Sequence, residues 1–296
     1  MNKTVKIILI IAACLIPIGI IATVIGLRFG GHAGWSVDLS DGSFLSASDI
    51  VSETVDLKDF DAIDITITTA DVNIMRGDSY KIEYKVRKGK EPTITQEGGK
   101  LTVVQPSMGF VMFSFGLNEE NTYNIYVPEG AKEIALNAKA STGDIMLDRI
   151  KVSGKIEAGT SDVLLNDIEG KELDVSVSSG DIDGDKIKVE KTRFEGSTSD
   201  ISILRLYSDD VYCHASTGDI DINDSAVSNF TADTSTGDVT LQLNGKADDY
   251  SYNVKVSTGD IVINGEECEK SFAKDNGTDR KININTSTGD VDVTVQ

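Results

Sequence analysis

A short motif, Ser-Thr-Gly-Asp followed by Ile or Val, recurs through the second half of the chain and constrains its fold more than any other feature. The copies at 141–145, 216–220, 235–239, 257–261 and 287–291 keep the motif, and those at 160–163, 178–182 and 197–201 vary it. The aspartates of successive copies are 18, 19, 19, 19, 19, 22 and 30 residues apart. A nearly fixed period of this length is typical of stacked-repeat architectures.

The residues around each aspartate predict strands on both sides of a bend. Counted from the aspartate, positions −8, −6 and −4 are mostly apolar or small, as in Leu173, Val175 and Val177 before Asp181, and positions +1 and +3 are apolar again. Period-two alternation indicates a strand. Because positions −4 and +1 are five residues apart, one straight strand would put them on opposite faces. The motif residues Ser, Thr, Gly and Asp favour the required bend.

Coils of equal length and pattern can stack in register, each strand pairing with its equivalent in the next coil about 4.8 Å away. The sequence therefore predicts an all-β, single-domain β-solenoid over residues 53–296, with a narrow interior of Val, Ile, Leu and Ala. Asp71 lies in a degenerate ninth unit. We expect residues 53–130 to form an irregular N-terminal β cap and residues 131–296 to form the regular repeats.

Within the cap, residues 80–127 alternate as strands, and Glu-Gly-Gly-Lys (97–100) is typical of a hairpin turn. The stretch 108–116 is the most apolar part of the chain after the N-terminal segment. We predict that it covers the open end of the solenoid, because an uncapped end exposes core and backbone groups. The alternative is an exposed loop that enters the bilayer or docks a partner.

The N-terminal segment predicts a membrane anchor. Residues 7–27 carry no charge and would span about 31 Å as a helix. Lys3 and Lys6 precede the span, so the positive-inside rule places the N-terminus in the cytoplasm. We predict a signal anchor at 1–28, a juxtamembrane linker at 29–52 and an extracytoplasmic β-domain. The alternative is a cleaved lipoprotein acylated at Cys14, but the thirteen uncharged residues that follow Cys14 favour the uncleaved anchor.

The charge of the chain limits its partners. A net charge of −20 argues against nucleic acid, since phosphate binding requires basic patches. Stacked in register, the aspartates would form a row of like charges that calcium could bridge. This hypothesis concerns Asp144, Asp181, Asp219, Asp238, Asp260 and Asp290. Aspartate at a turn more commonly stabilises its own turn by bonding nearby backbone, so we predict no metal site and keep calcium as the alternative.

An enzyme would need carboxylates with separated pKa values in a cleft. The candidate pairs are Asp181 with Asp183 and Asp219 with Asp221. The two histidines are His32, in the linker, and His214, at an outward surface position. Because the carboxylates recur evenly and no catalytic motif is present, we predict no enzymatic activity, no catalytic residue and no cofactor.

A strand that ends in Val-Pro-Glu-Gly (127–130), followed by coils punctuated by Ser-Thr-Gly-Asp-Ile, resembles the bacterial putative-adhesin domain family of unknown function, which includes LiaG-like proteins of cell-envelope stress operons. The resemblance covers residues 53–296 and implies a membrane-attached β-solenoid. We interpret the chain as a surface-binding module that presents an acidic face to cell-wall polymers or envelope proteins. The alternatives are a scaffold of a cell-envelope stress response and a polysaccharide-acting β-helix enzyme.

Overall fold

A computed structural model describes residues 35–38, 43–46, 50–106, 111–115 and 121–296 of the chain. The backbone divides into two compact units, one of Met1–Val51 with Ser107–Glu120 and one of Ser52–Pro106 with Asn121–Gln296. Within the described ranges, no helix is both long and apolar enough to cross a membrane. The anchor predicted at 7–27 and the lipidation alternative at Cys14 lie outside the described residues.

The described secondary structure is almost entirely β. In chain order the strands are β1 (Trp35–Asp38), β2 (Ser43–Ser46), β3 (Ile50–Asp56), β4 (Ala62–Thr69), β5 (Asp71–Gly77), β6 (Lys81–Arg87), β7 (Thr93–Glu97), β8 (Lys100–Val104), β9 (Val111–Phe115), β10 (Thr122–Pro128), β11 (Ile134–Thr142), β12 (Ile145–Asp148), β13 (Val152–Thr160), β14 (Val163–Ser179), β15 (Ile182–Thr198), β16 (Ile201–Thr217), β17 (Ile220–Thr236), β18 (Val239–Leu243), β19 (Ser251–Thr258), β20 (Ile261–Ile263), β21 (Glu266–Cys268), β22 (Ser271–Lys274), β23 (Lys281–Thr288) and β24 (Val291–Val295). A short 3-10 helix covers Ala247–Asp249.

The smaller unit contains a three-stranded antiparallel sheet in the order β2-β1-β9. Strands β1 and β2 fall inside the predicted linker at 29–52, and β9 falls inside the apolar stretch at 108–116. The role of that stretch as a cover for the end of the solenoid stays a prediction.

The larger unit is a β-solenoid whose coils have three faces, as β14 to β17 show with 17 residues each. Numbered from the corner aspartate, the first face holds positions −8 to −4, the second face +1 to +4 and the third face +6 to +9. The predicted inward positions are confirmed, since Leu173, Val175 and Val177 are 0%, 0% and 2% exposed. The three faces of each coil enclose a narrow interior, which suits branched aliphatic side chains.

The coils pair in register along the stack. The first face has the strand order β7-β8-β4-β11-β13-β14-β15-β16-β17-β23-β19-β22. The second face has the order β6-β10-β5-β12-β14-β15-β16-β17-β18-β24-β20-β21. The pairs β7–β8, β6–β10, β19–β22 and β20–β21 are antiparallel, and the other pairs are parallel. Antiparallel strands therefore flank both ends of the parallel stack.

The expectation that each coil stacks on the next coil in the chain is wrong at the C-terminal end. Strand β17 pairs with β23, and β19 pairs with the other edge of β23. On the second face, β24 lies between β18 and β20 in the same way. The last coil of the chain, β23 and β24, therefore lies between the coil that contains β18 and the coil of β19 and β20.

The degenerate ninth unit is confirmed. Strands β4 and β5 meet at a corner beside Asp71 and pair in register with β11 and β12. The hairpin predicted at 97–100 is also present, because β7 and β8 pair with Glu97 opposite Lys100. The cap strands lie beside this first coil, where β8 pairs with β4 and β10 pairs with β5.

The corner glycine is required where the backbones of adjacent coils approach. At Gly218 and Gly237, φ is 136° and 144°, and an added Cβ would lie 2.1 and 1.9 Å from a carbonyl oxygen of the neighbouring coil. The coils of Asp162 and Asp200 have serine instead, and the side chain of Ser199 is buried. Gly196 makes room for Ser199, since a Cβ at position 196 would lie 2.5 Å from the serine Cβ.

A second corner lies five residues after most of the aspartates and was absent from the sequence prediction. Its residue has a left-handed backbone although it is never glycine: φ lies between 48° and 58° at Arg149, Asp167, Lys186, Arg205 and Asp224. This corner turns the chain from the second face onto the third face. Each third-face segment then leads directly into the first face of the next coil.

Candidate functional site

The corner aspartates form a ladder of hydrogen bonds between coils. In each rung, Oδ1 of one aspartate accepts the backbone N–H of the aspartate in the adjacent coil. The described rungs, written acceptor first, are Asp71–Asp144 (3.0 Å), Asp144–Asp162 (3.0 Å), Asp162–Asp181 (2.9 Å), Asp181–Asp200 (3.0 Å), Asp200–Asp219 (2.8 Å), Asp219–Asp238 (2.7 Å), Asp238–Asp290 (2.7 Å) and Asp290–Asp260 (2.8 Å). The aspartate therefore joins neighbouring coils, whereas the sequence analysis expected a bond within its own turn.

The ladder follows the spatial order of the coils and ends on a lysine. Asp290 stands between Asp238 and Asp260, as the strand order requires. At the end of the row, Lys270 Nζ donates to Oδ1 of Asp260 at 2.7 Å and to the carbonyl oxygen of Gly259. A cation thus occupies the place that the N–H of a further coil would fill.

The calcium hypothesis concerns this same row, since the ladder contains Asp144, Asp181, Asp219, Asp238, Asp260 and Asp290. Backbone N–H groups, and Lys270 at the end, already occupy one oxygen of each of these carboxylates. Over the described ranges, no group of three or more His, Cys, Asp and Glu side chains is placed to hold a metal ion. Calcium along this edge stays an alternative hypothesis, and the absence of a metal site stays a prediction.

The carboxylate pairs considered for catalysis lie beside the ladder. Asp181 and Asp219 each use Oδ1 in a rung. Asp183 follows on the second face, where burial first and then the charge of Asp181 raise the pKa of its carboxyl above the usual value. Asp221 is half-buried at the equivalent position two coils further along the chain. Neither pair lines the groove described below.

The two histidines and the free cysteines do not come together in one site among the described residues. His32 lies outside the described residues. His214 is half-buried on the first face between Glu195 and Asp233, and its Nδ1 has no hydrogen-bond partner among the described residues. Cys213 is fully buried, which raises the pKa of its thiol and keeps it protonated. Cys268 is partly exposed and free.

The third face of the regular coils carries a groove of about 570 Å³. Its floor is made by small or buried residues at position +8, namely Gly170, Val189, Ser208 and Val227. Glu133 lies at one end, on the loop before β11, and Arg280 lies at the other end, before β23. The groove crosses the chain direction and runs along the stack.

Charged side chains of both signs line the groove in equal number. The cations are Lys151, Lys171, Lys188 and Arg280, and the anions are Glu133, Glu169, Glu190 and Asp209. Two ion pairs cross between coils, Lys151 with Glu169 at 3.1 Å and Lys171 with Glu133 at 3.7 Å. The groove is therefore close to neutral in a strongly acidic chain.

Arg280 is held firmly at its end of the groove. Its Nη2 donates to the carbonyl oxygen of Val227 at 2.9 Å and also bonds the hydroxyl of Tyr250. Its guanidinium lies over the Tyr250 ring, 4.2 Å from the centroid, a favourable cation–π geometry. These contacts fix the wall that the C-terminal loops build against the third face.

One exposed aromatic residue stands in the middle of the groove. Tyr207 is 46% exposed and lies in register between Lys188 and Ala226 on the adjacent coils. Among the residues that the structure describes, no carboxylate forms an ion pair with Lys188. Tyr207 and Lys188 therefore offer an aromatic surface and a free donor side by side.

Sequence reasoning missed this groove because it considered only positions −8 to +3 around each aspartate and not positions +6 to +9. A signal was present: position +7 carries Lys151, Glu169, Lys188 and Tyr207 in successive coils. Long polar or aromatic side chains in register mark an outward face. The concavity could not be read from this pattern, because distant loops supply its end walls.

The chain is similar to several solved structures. A solved structure from Parabacteroides distasonis ATCC 8503, described as a putative adhesin, is 14% identical with a TM-score of 0.51, over 82% of this chain and 97% of that chain. A putative adhesin from Bacteroides fragilis NCTC 9343 is 11% identical with a TM-score of 0.47, over 84% and 96%. A putative lipid binding protein from the same Parabacteroides strain is 13% identical with a TM-score of 0.46, over 84% and 96%. No curated protein matches.

The sequence profile of the Toastrack DUF4097 family matches residues 60–294. The match begins just before β4, the first strand of the stack to carry the coil pattern, and ends in β24, so it takes in both the regular coils and the inserted C-terminal coil. The chain thus belongs to the Toastrack DUF4097 family.

Proposed function

We propose that the chain is a non-enzymatic binding module, attached to the cell membrane by a single N-terminal helix at 7–27, with its N-terminus in the cytoplasm and its solenoid outside. The solenoid binds polymers or proteins of the cell envelope through its outer faces. The proposal combines the charge pattern of the N-terminal segment, Lys3 and Lys6 before an uncharged span, with the surface that the coils create.

The observation that carries the binding role is the in-register pairing of the coils. Strands β14 to β17 pair with each other over nearly their whole length, and the aspartate ladder ties their corners together. Outward side chains are therefore repeated about every 4.8 Å on a rigid support. Such a surface suits a ligand that is itself extended and repetitive, as envelope polymers are.

The arrangement of charge supports binding over catalysis. The groove acids Glu133 and Glu169 form ion pairs with lysines. The corner aspartates accept backbone N–H groups, except Asp260, which accepts from Lys270. General acid–base catalysis instead needs two groups with separated pKa values around one reacting atom. The net charge of −20 keeps a long β surface soluble and discourages contact between strand edges.

Co-sedimentation tests the proposal. Full-length protein in a sugar-free detergent is mixed with purified bacterial cell walls and, separately, with extracted envelope proteins immobilised on beads. We expect saturable retention by at least one of these materials. If all the protein stays in the supernatant with both materials, the proposed function is wrong.

Protease accessibility tests the orientation. In intact cells, an added protease should digest the loops of the solenoid, such as the exposed turn at Gly277. Cleavage that occurs only after the cells are lysed would place the solenoid on the cytoplasmic side and contradict the proposal.

A further inference from the structure

We infer that the groove on the third face binds an uncharged, linear glycan that lies along the stack, with Tyr207 as the surface on which a sugar ring packs. The inference deepens the proposed function and rests on it, because it names the ligand class for one of the outer faces. It is carried by the shape of the groove, the exposure of Tyr207 and the charge balance of the lining residues.

The shape suits an extended chain. The groove crosses five coils, from Lys151 to Ala226, which corresponds to about 19 Å at the spacing of neighbouring strands. At its floor, neighbouring coils approach closely: a Cβ at Gly170 would lie 1.9 Å from the carbonyl oxygen of Val152. An extended hexose polymer advances by a similar distance per sugar, so successive sugars can meet successive coils.

Tyr207 differs from the other tyrosine on the outer surface of the same coil. Tyr212, on the first face, is covered by the guanidinium of Arg193, 4.3 Å from the ring centroid. Over the described part of the chain, no cation is placed over the ring of Tyr207, and its neighbour Ala226 is too small to shield the ring. An exposed ring beside small residues presents an apolar surface with a polar tip. The C–H face of a pyranose ring packs on such a surface, as it does in many sugar sites.

The charges select an uncharged ligand. Four cations and four anions line the groove, so a polyanion gains little local attraction, and the net charge of −20 repels it over the Debye length. Hydroxyl groups, however, can use both signs: carboxylates such as Glu190 accept hydrogen bonds, and Lys188 donates them. A neutral, hydroxyl-rich chain is the ligand that this lining complements.

Isothermal titration calorimetry of the full-length protein in a zwitterionic, sugar-free detergent tests the inference. The probe is the hexamer of β-1,4-linked N-acetylglucosamine, which is uncharged and linear, and the comparison ligand is a galacturonate hexamer with one carboxylate per sugar. We expect the neutral hexamer to bind, with an affinity that changes little between low and high salt, and the anionic hexamer to bind more weakly.

Three variants locate the site. Tyr207→Ala should weaken binding of the neutral hexamer about tenfold, because it removes the packing surface, whereas Tyr207→Phe should retain it. Tyr212→Ala, on the first face, is the matched control and should bind as the wild type does. Circular dichroism of each variant confirms that the solenoid is intact; the Phe variant keeps the test decisive should the Ala variant misfold.

The inference is overturned if the wild type does not bind the neutral hexamer at millimolar concentration, if it prefers the anionic hexamer, or if Tyr207→Ala binds unchanged. Co-sedimentation with cell walls separates this failure from failure of the proposed function. Walls that retain wild type and Tyr207→Ala equally would leave the binding module standing and remove the groove as its glycan site.

Discussion

The regular coils from β14 to β17 and the coils that follow β18 carry the same corner motif, yet they are arranged by different rules. In the regular part, each coil stacks on its neighbour in the chain. After β18, the coil of β19 and β20 is farther from the regular coils than the last coil, β23 and β24. The last coil pairs with β17 and β18 on one side and with β19 and β20 on the other. The rung distances are similar in both parts, 2.8 Å from Asp200 to Asp219 and 2.7 Å from Asp238 to Asp290.

The difference teaches that the motif specifies how a coil folds and docks but not which coil it docks against. In the regular part, the third-face segment that connects one coil to the next is too short to skip the adjacent position in the stack. After Asp238 and Asp260 the connections lengthen, through the 3-10 helix at Ala247–Asp249 and through β21 and β22. Longer connections cost little additional loop entropy. The packing of the C-terminal end of the solenoid therefore decides the order in which the last two coils are stacked.

We expect the largest loss of stability when the corner glycine is replaced by alanine, either in the regular coils or in the inserted coil. Gly218→Ala in the regular part and Gly289→Ala in the inserted coil should each destabilise the solenoid by about 3 to 5 kcal/mol, because a Cβ would lie 2.1 or 2.0 Å from a carbonyl oxygen at positive φ. Urea unfolding measures the loss.

Gly277→Ala is the control for these variants. Its φ is also positive, at 68°, but an added Cβ meets nothing within 4 Å, so we expect a loss of about 1 kcal/mol. If Gly289→Ala cost no more than Gly277→Ala, the inserted coil would not be packed against a neighbour as described.

The aspartate ladder should give an intermediate effect that depends on position. Asp238→Ala removes the acceptor for the N–H of Asp290 and should cost about 1 to 2 kcal/mol. Asp260→Ala loses only its exposed contact with Lys270 and should cost less than about 1 kcal/mol. Asn at either position keeps an acceptor oxygen and should be nearly neutral. Equal losses at Asp238 and Asp260 in urea unfolding would contradict the spatial order of the ladder.

The smallest effect is a pH dependence that differs between the first and second faces. Hydrogen bonds from Lys139 and Lys155 lower the pKa of Glu157 to about 2 from 4.5. A depressed folded-state pKa stabilises the fold above the unfolded value, and this contribution is lost as pH falls from about 4.5 through about 2. Because Glu157 is 37% exposed, we expect less than about 1 kcal/mol.

Asp183 should behave in the opposite direction. Partial desolvation, followed by the charge of Asp181, raises its pKa, so protonation as pH falls favours folding. Because Asp183 is exposed, solvent screening keeps this effect small. Urea midpoints at pH 7 and pH 3 measure both effects. Glu157→Gln should reduce the loss of stability on acidification, and Asp183→Asn should raise stability slightly at pH 7 alone. Identical pH profiles for the two variants would show that the faces do not differ in this way.

Much of the fold could be predicted from the sequence because inward positions repeat. Alternation at −8, −6, −4, +1 and +3 identified buried residues such as Val175 and Ile220, both 0% exposed, and the Gly-Asp pair identified the bend. The degenerate unit at Asp71 followed the same pattern. These features are local, so one coil is enough to specify them.

The remaining features depend on contacts between coils. The left-handed corner is occupied by Arg149, Lys186 and Arg205, residue types that do not predict positive φ, and the acceptor role of each aspartate exists only once coils are stacked. The groove requires the third face together with Glu133 and Arg280 from distant loops. The steps of 22 and 30 residues between the last aspartates signalled an irregular end, but nothing in identical motifs could specify the exchanged order.

Disulfide cross-linking tests the spatial order of the coils most directly. With Cys14, Cys213 and Cys268 replaced by Ala, the pairs Thr231→Cys with Asn283→Cys and Asn283→Cys with Asn253→Cys join register partners within disulfide range. Thr231→Cys with Asn253→Cys places the thiols two strands apart, about 10 Å. The account predicts that mild oxidation links the first two pairs and not the third. Efficient linkage of Thr231→Cys with Asn253→Cys, and none with Asn283→Cys, would show that the coils stack in chain order and would contradict it.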